Sequence, residues 1–464
     1  MKVQLRLIKK IQIAAIIGCL FFSACKKSSS HLSTPPLQIG QAVSDTACLA
    51  GAIQGTMLAG KTYTVCGDVN VPAGDTLLLQ AGVTVNITGK YNFVVHGTFI
   101  SLGTQSAPNW ITTNTTKQNT PFSSVTAALA QDSAFVGKWY GISCDTTCSL
   151  FVMKWTHVEF AGALFGAAPV SGLTANTNSY EIFFQNPNGV FVMEDSWIYG
   201  STDDAVRITD GKVSVMRNTF EKTGSNTGEA LNVKSGTVGD IAYNVFIGSA
   251  TNGTKMSNAG ATPIQCSIHC YNNTYIDCGY RNATPSGHGG SIDLEKQGQA
   301  FIYNNLIVNC LKGLRINGAS GDAPDTTNSR YGNTYNYGDS LDVVNEFYPV
   351  GDLTHPQTTD IPNTSSYLTP SYTLGAVYNG SSVLSVGNPQ FKNFPLPNYQ
   401  YQNYDYASGF DFHLLSTSPA IGKGYTGFSA EAVVPVSTNY GATAITQPGA
   451  DMGAYQSNGT GNQH

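Results

Sequence analysis

One phrase, written four times, restricts what this chain can fold into. Met216-Arg217-Asn218-Thr219-Phe220, Ala242-Tyr243-Asn244-Val245-Phe246, Tyr271-Asn272-Asn273-Thr274-Tyr275 and Tyr303-Asn304-Asn305-Leu306-Ile307 place asparagines at 218, 244, 273 and 305, in steps of 26, 29 and 32 residues. About half a step before the clearer copies stands a second phrase: Asp204 to Ile208, Glu229 to Val233, Ser291 to Glu295 and Gly313 to Asn317. A loose period of this size, built from short alternating runs and Gly/Asn/Ser turns, marks a repeat architecture. No copy has the length or the 3.6-residue spacing of a helix pair. A single coil cannot bury its apolar row alone, so the coils must stack. The reading is an all-β chain wound as a parallel β-helix over 45–338.

This stretch resembles the right-handed parallel β-helix (pectin-lyase-like) proteins, a superfamily rich in polysaccharide-acting enzymes. The Gly-punctuated strands from Cys66 to Thr104, Trp139-Tyr140-Gly141-Ile142 and Met153 to Phe160 resemble the opening of β-helix proteins of the Bacteroidetes type. That likeness concerns architecture and leaves chemistry to the site. Two insertions interrupt the pattern. Thr112 to Phe135 is polar and then Ala-rich, and is expected to loop out with one or two helical turns; Gly162 to Ser179 is rich in small residues. Loops on a rigid scaffold commonly carry binding. Residues 339–464 form a looser extension whose phrases Asp411 to Leu414, Ser418 to Gly424 and Asp451 to Tyr455 resemble the close of bacterial β-helix lipoproteins. It is expected to pack on the helix or cap its last coil, because an open end exposes unpaired backbone groups.

Residues 1–24 read as an export signal: Lys2, Arg6, Lys9 and Lys10 precede an apolar core, Ile11 to Phe22, too short to span a bilayer comfortably. Phe22-Ser23-Ala24-Cys25 resembles a lipobox, with Phe where Leu is commoner, and implies acylation of Cys25. A Ser-, Thr- and Pro-rich tether, 25–44, follows. The expectation is an envelope protein anchored to the outer membrane, and Lys26-Lys27 gives no sign of surface display. Without the four cations of the signal the formal charge moves from −5 to −9. An acidic chain with no basic run after residue 27 argues against nucleic acid as a partner.

Ten cysteines, less Cys19 and Cys25, leave an even number in an exported chain, which suggests disulfides. Cys278 and Cys310 each lie five residues after an anchoring asparagine, on coils about 4.8 Å apart, and are the pairing proposed from spacing. A reduced cysteine ladder is the alternative. Cys48/Cys66 and Cys144/Cys148 are local candidates. Cys266, His269 and Cys270 lack the spacing and partners of a zinc site.

Strand alternation that turns Val206 and Ile208 inward turns Arg207 outward, and likewise Asn232, Lys234, Asp293, Glu295, Arg315 and Asn317. Asp203, Asp204 and Glu229 stand at the turns entering these strands. In a chain only 11% charged, this concentration is the candidate site. It reads either as a self-neutralising charge ladder or as a groove for an acidic sugar chain. In the second reading Asp203, Asp204 and Glu229 hold a hard cation such as Ca²⁺. Lys234 is the base, Arg207 clamps the uronate carboxylate, and Asn232, Asp293, Glu295, Arg315 and His288 line the groove.

The spacing of Glu229 and Lys234 resembles that of alginate- and chondroitin-B-type lyases, which implies a metal-binding Glu ahead of a catalytic Lys. Here Thr227 stands where a second Glu is expected, and Lys255 is nearest to the place of an Arg. Asp203-Asp204, Gly287-His288-Gly289 and Arg315-Ile316-Asn317 resemble the order of motifs in polygalacturonases. However, about three coils, roughly 14 Å, separate Asp204 from His288, beyond the roughly 10 Å reach of paired catalytic groups. A cluster of Tyr399, Tyr401, Tyr404 and Tyr406 offers ring faces to sugars or to loop packing. The functional expectation is binding or eliminative cleavage of an acidic polysaccharide; the rival is a non-catalytic envelope or adhesion protein with the helix as a rigid rod.

Overall fold

Each repeat supplies three short strands. Val206–Thr209, Gly211–Met216 and Thr219–Glu221 make one coil, and Leu231–Val233, Thr237–Ala242 and Val245–Ile247 the next. The computed structural model describes residues 37–118, 123–260, 262–282, 289–340, 387–396, 409–437 and 440–464, with short pieces between 343 and 361. Strands of successive coils pair in parallel, Val206 with Leu231, Val213 with Gly239 and Phe220 with Phe246. They stack into a 10-stranded sheet and a 19-stranded one. The larger sheet divides into two flanks because its long strand Thr62–Val71 pairs at one end with Thr84–Ile87 and at the other with Phe93–Val95. The fold is a three-flanked parallel β-helix.

Alternation fills the interior. Val206, Ile208, Leu231, Val233, Met256 and Leu294 are all buried. Equivalent positions stack, as in Phe99, Phe151 and Phe191, with centroids 5.1 and 5.0 Å apart, and Phe220, Phe246 and Tyr275, both steps 4.8 Å. Burying each ring contributes about 1.5–3 kcal/mol.

The recurring asparagines form the corner between the 10-stranded sheet and the third flank. The residue before each takes a positive φ: Arg217 59°, Tyr243 59°, Asn272 51° and Asn304 61°. That conformation costs a residue with a Cβ about 1–2 kcal/mol, and the amides hold it in place. Asn244 Oδ1 accepts the Asn218 backbone N–H at 2.9 Å, while Asn244 Nδ2 donates to the Val215 carbonyl at 2.9 Å. Asn273 and Asn305 repeat the pattern, so the Asn244 and Asn273 N–H groups and the Ile241 and Cys270 carbonyls also find partners.

The first insertion carries the helix Val125–Gln131 and the 3₁₀ turn Ser133–Phe135. A buried ion pair, Lys222 Nζ to Asp132 at 2.7 Å, fixes it to the third flank. The described part of 409–464 runs lengthwise over the 10-stranded sheet and its corner. Asp240 accepts the Glu431 and Ala432 N–H groups at 2.8 Å each, Glu194 accepts Thr443 N–H at 3.1 Å, and Asn272 Nδ2 donates to the Asp451 carbonyl at 2.7 Å. Leu306, Val308 and Tyr335 on the third flank are covered by Phe391, Phe394 and Phe412.

The proposed Cys278–Cys310 disulfide is not formed. Both residues are buried free thiols, as are Cys144 and Cys148, while Cys48 and Cys66 are bonded. Side chains stacked in register on parallel coils point the same way. Their Cβ atoms then stay about 4.8 Å apart, outside the roughly 3.5–4.5 Å a disulfide needs.

Candidate functional site

The outward column predicted from alternation exists and is continuous. Phe183 pairs with Arg207, Arg207 with Asn232, Asn232 with Lys255, Lys255 with Asp293, and Asp293 with Arg315. One alternation further along, Ser257 pairs with Glu295. Lys234 follows the strand Leu231–Val233 directly, its N–H donating to the Ile208 carbonyl at 2.9 Å. Lys255, named from sequence only as nearest to the place of an Arg, stands on this column between Asn232 and Asp293. Its strand is Asn252–Ser257. The signal was there: Thr254 and Met256 turn inward, so Lys255 between them turns out.

Two networks share this flank. In the first, Arg207 Nε donates to Asp204 Oδ2 at 2.6 Å, and its guanidinium lies 4.3 Å from the Tyr180 ring centroid. Asn232 Nδ2 bridges Asp204 Oδ2 at 2.8 Å and Glu229 Oε2 at 3.1 Å. The Glu229 N–H donates to Asp204 Oδ1 at 2.8 Å, and the Asp204 N–H to Asp203 Oδ1 at 2.9 Å. In the second, Lys255 Nζ reaches Glu295 at 3.2 Å, Glu229 at 3.6 Å and Asp293 at 3.8 Å. Arg315 Nε pairs with Asp352 at 3.0 Å, and its Nη1 lies 4.0 Å from Asp293.

Electrostatics sort these groups. Burial, then the adjoining Asp204, pushes the Asp203 carboxyl up to about 6. Burial also opposes ionisation of Asp204, but Arg207 and the hydrogen bonds from Glu229 outweigh it and hold that carboxyl below the usual range. Glu229 is driven well above its ordinary value by burial and by Asp204. Burial pushes Asp293 up to about 6. Lys255 loses by burial and gains more from Glu229, Asp293 and Glu295, so it is held charged. Lys234 is the exception: burial, then the field of Arg207, lowers it. Among the described residues Lys234 Nζ makes no ion pair within 4 Å, and the side chain is partly exposed.

The donor set does not fit Ca²⁺. Asp204 spends both oxygens on protein donors, and Glu229 and Asp203 each spend one. Among the described residues no group of three His, Cys, Asp or Glu side chains is arranged to hold a metal ion. His288, Cys25, the signal 1–24 and Tyr399, Tyr401, Tyr404 and Tyr406 lie outside the described residues. Comparison with protein-family models, curated proteins and solved structures finds no match to this chain.

Proposed function

We propose that this is an exported, lipid-anchored β-helix protein that binds an acidic polysaccharide along the Arg207–Arg315 flank and cleaves it by β-elimination at Lys234. The observation that carries this reading is Lys234 itself: a partly exposed amine, depressed by burial and Arg207, and among the described residues without an ion-pair partner in a column where the other cations have one. A lysine in that state is a base at modest pH. Arg207, braced by Asp204 and Tyr180, offers its remaining N–H groups to a uronate carboxylate and draws off charge as it builds up there. Neutral Lys234 takes the C5 proton and becomes ammonium. The electron pair forms the C4–C5 double bond, the C4–O bond breaks, and the departing oxygen takes a proton from solvent. No metal is needed to balance this step.

Purified protein incubated with alginate, pectate and chondroitin, with and without added Ca²⁺, tests it through the ultraviolet absorbance of the unsaturated product. The expected result is product from one polyuronate in both conditions. Silence on all three, with no shift on polysaccharide-containing gels, overturns it. A Ca²⁺ requirement returns the first step to a cation. The second reading, a rigid scaffold, is supported by the self-neutralised half of the flank, where Lys255 serves three carboxylates and Arg315 two.

A further inference from the structure

A second cluster lies on the third flank beneath the first insertion, away from the sugar-binding column. Here Trp110 and Trp197 pair with His157 on either side, the Trp110 and His157 rings stack at 3.8 Å and 8°, and Glu159 pairs with Tyr199. Lys117 reaches into this cluster from the segment ahead of Val125–Gln131. Its Nζ lies 4.4 Å from the Tyr199 ring centroid, 5.5 Å from Trp197 and 5.9 Å from Trp110, and 2.7 Å from Glu159 Oε1. Glu159 Oε2 accepts the Thr112 hydroxyl at 2.7 Å, which orients the carboxylate.

Three ring faces and a fixed carboxylate around one ammonium form an aromatic cage, the arrangement that recognises alkylated amines. Glu221, next along the column from Tyr199, is fully buried, with Lys117, Lys222 and the Trp197 indole acting on its carboxyl. Lys117 itself is 27% exposed, so its ammonium can exchange with solvent, while the Glu159 carboxylate beneath it is 5% exposed.

We propose that Trp110, Trp197, Tyr199 and Glu159 form a binding site for a substituted ammonium group, filled by Lys117 in the free protein and opened when an external amine displaces it. The ligand class is a primary or methylated ammonium carried on a small molecule or an amino sugar. Truncating Lys117 leaves a hole shaped by an ammonium, so Lys117→Ala should bind methylammonium or tetramethylammonium at least about tenfold tighter than wild type, read by tryptophan fluorescence against matched potassium chloride. Adding Glu159→Gln to that variant should remove the gain. In the wild-type protein, saturating methylammonium should raise acylation of Lys117 several-fold relative to the exposed Lys61, mapped by mass spectrometry. This arm reports even where the truncation unfolds the chain. Equal affinity of wild type and Lys117→Ala, a gain that survives Glu159→Gln, or Lys117 labelling that ignores the amine would overturn the proposal.

Discussion

The covered and open flanks of the solenoid use the same kinds of residue to opposite ends. On the 10-stranded sheet, outward acids meet the chain's own C-terminal segment: Asp240 caps two backbone N–H groups, and Glu194 caps another while it faces Lys154 at 3.9 Å and Arg217 at 3.6 Å. Arg217 forks onto Asp195 at 2.7 and 2.9 Å. On the flank of Arg207 to Arg315 the charges pair mainly with one another, Arg207 with Asp204 and Lys255 with three acids, and the extension adds Asp352 beside Arg315. They do so almost completely, and among the described residues Lys234 is left over. Outward charge on this fold is thus structural wherever it is matched. A function is to be sought where matching fails.

The largest effect that sharpens this contrast is Lys234→Ala. Loss of a general base should cut eliminative turnover by about 10²–10⁴-fold, with thermal unfolding unchanged because no ion pair is broken. Undiminished turnover would remove Lys234 from the role. Next is the corner between the 10-stranded sheet and the third flank. Asn244→Ala strands the Asn218 N–H and the Val215 carbonyl in the interior, at roughly 1–3 kcal/mol each, and denaturant unfolding should show a loss of about 3 kcal/mol. A loss well under 1 kcal/mol would mean that the amide ladder follows the fold instead of holding it.

Asp240→Ala probes the strap alone. Two N–H groups lose their acceptor but can reach water, so the cost should be about 1 kcal/mol. It should appear as faster hydrogen exchange confined to the region of Glu431 and Ala432; global destabilisation would make the strap part of the core. The smallest effect is a pH slope. Burial pushes Glu221 up to about 8 from an ordinary 4.5. The folded state therefore holds a proton that the unfolded chain releases above pH 4.5, and this contribution to stability is lost as pH rises toward 8. Glu221→Gln should flatten that decline, and an unchanged slope would assign it elsewhere.

Much of the architecture was legible because alternation and period are local properties. Once the asparagines fixed the step, Arg207, Asn232, Asp293 and Arg315 fell on one column without knowledge of the loops between them. Lys255 was legible only as nearest to the place of an Arg, because its strand lies between loops of unequal length and counting from either neighbour misplaces it. The Lys222–Asp132 pair and the path of the strap depend on where long insertions return, which no short-range pattern encodes. The cysteine pairing failed differently. Position along the coil was right for Cys278 and Cys310, but a disulfide depends on the direction of the Cβ vectors as well as on distance.

The most direct test of the central claim is competitive acylation of Lys234 across pH in the wild-type protein, with and without a uronate oligomer. An unmatched, half-buried amine beside Arg207 should titrate below the exposed Lys61 and be shielded by the oligomer. Titration together with Lys61, and labelling indifferent to the sugar, would show Lys234 to be one more solvated charge on a structural ladder.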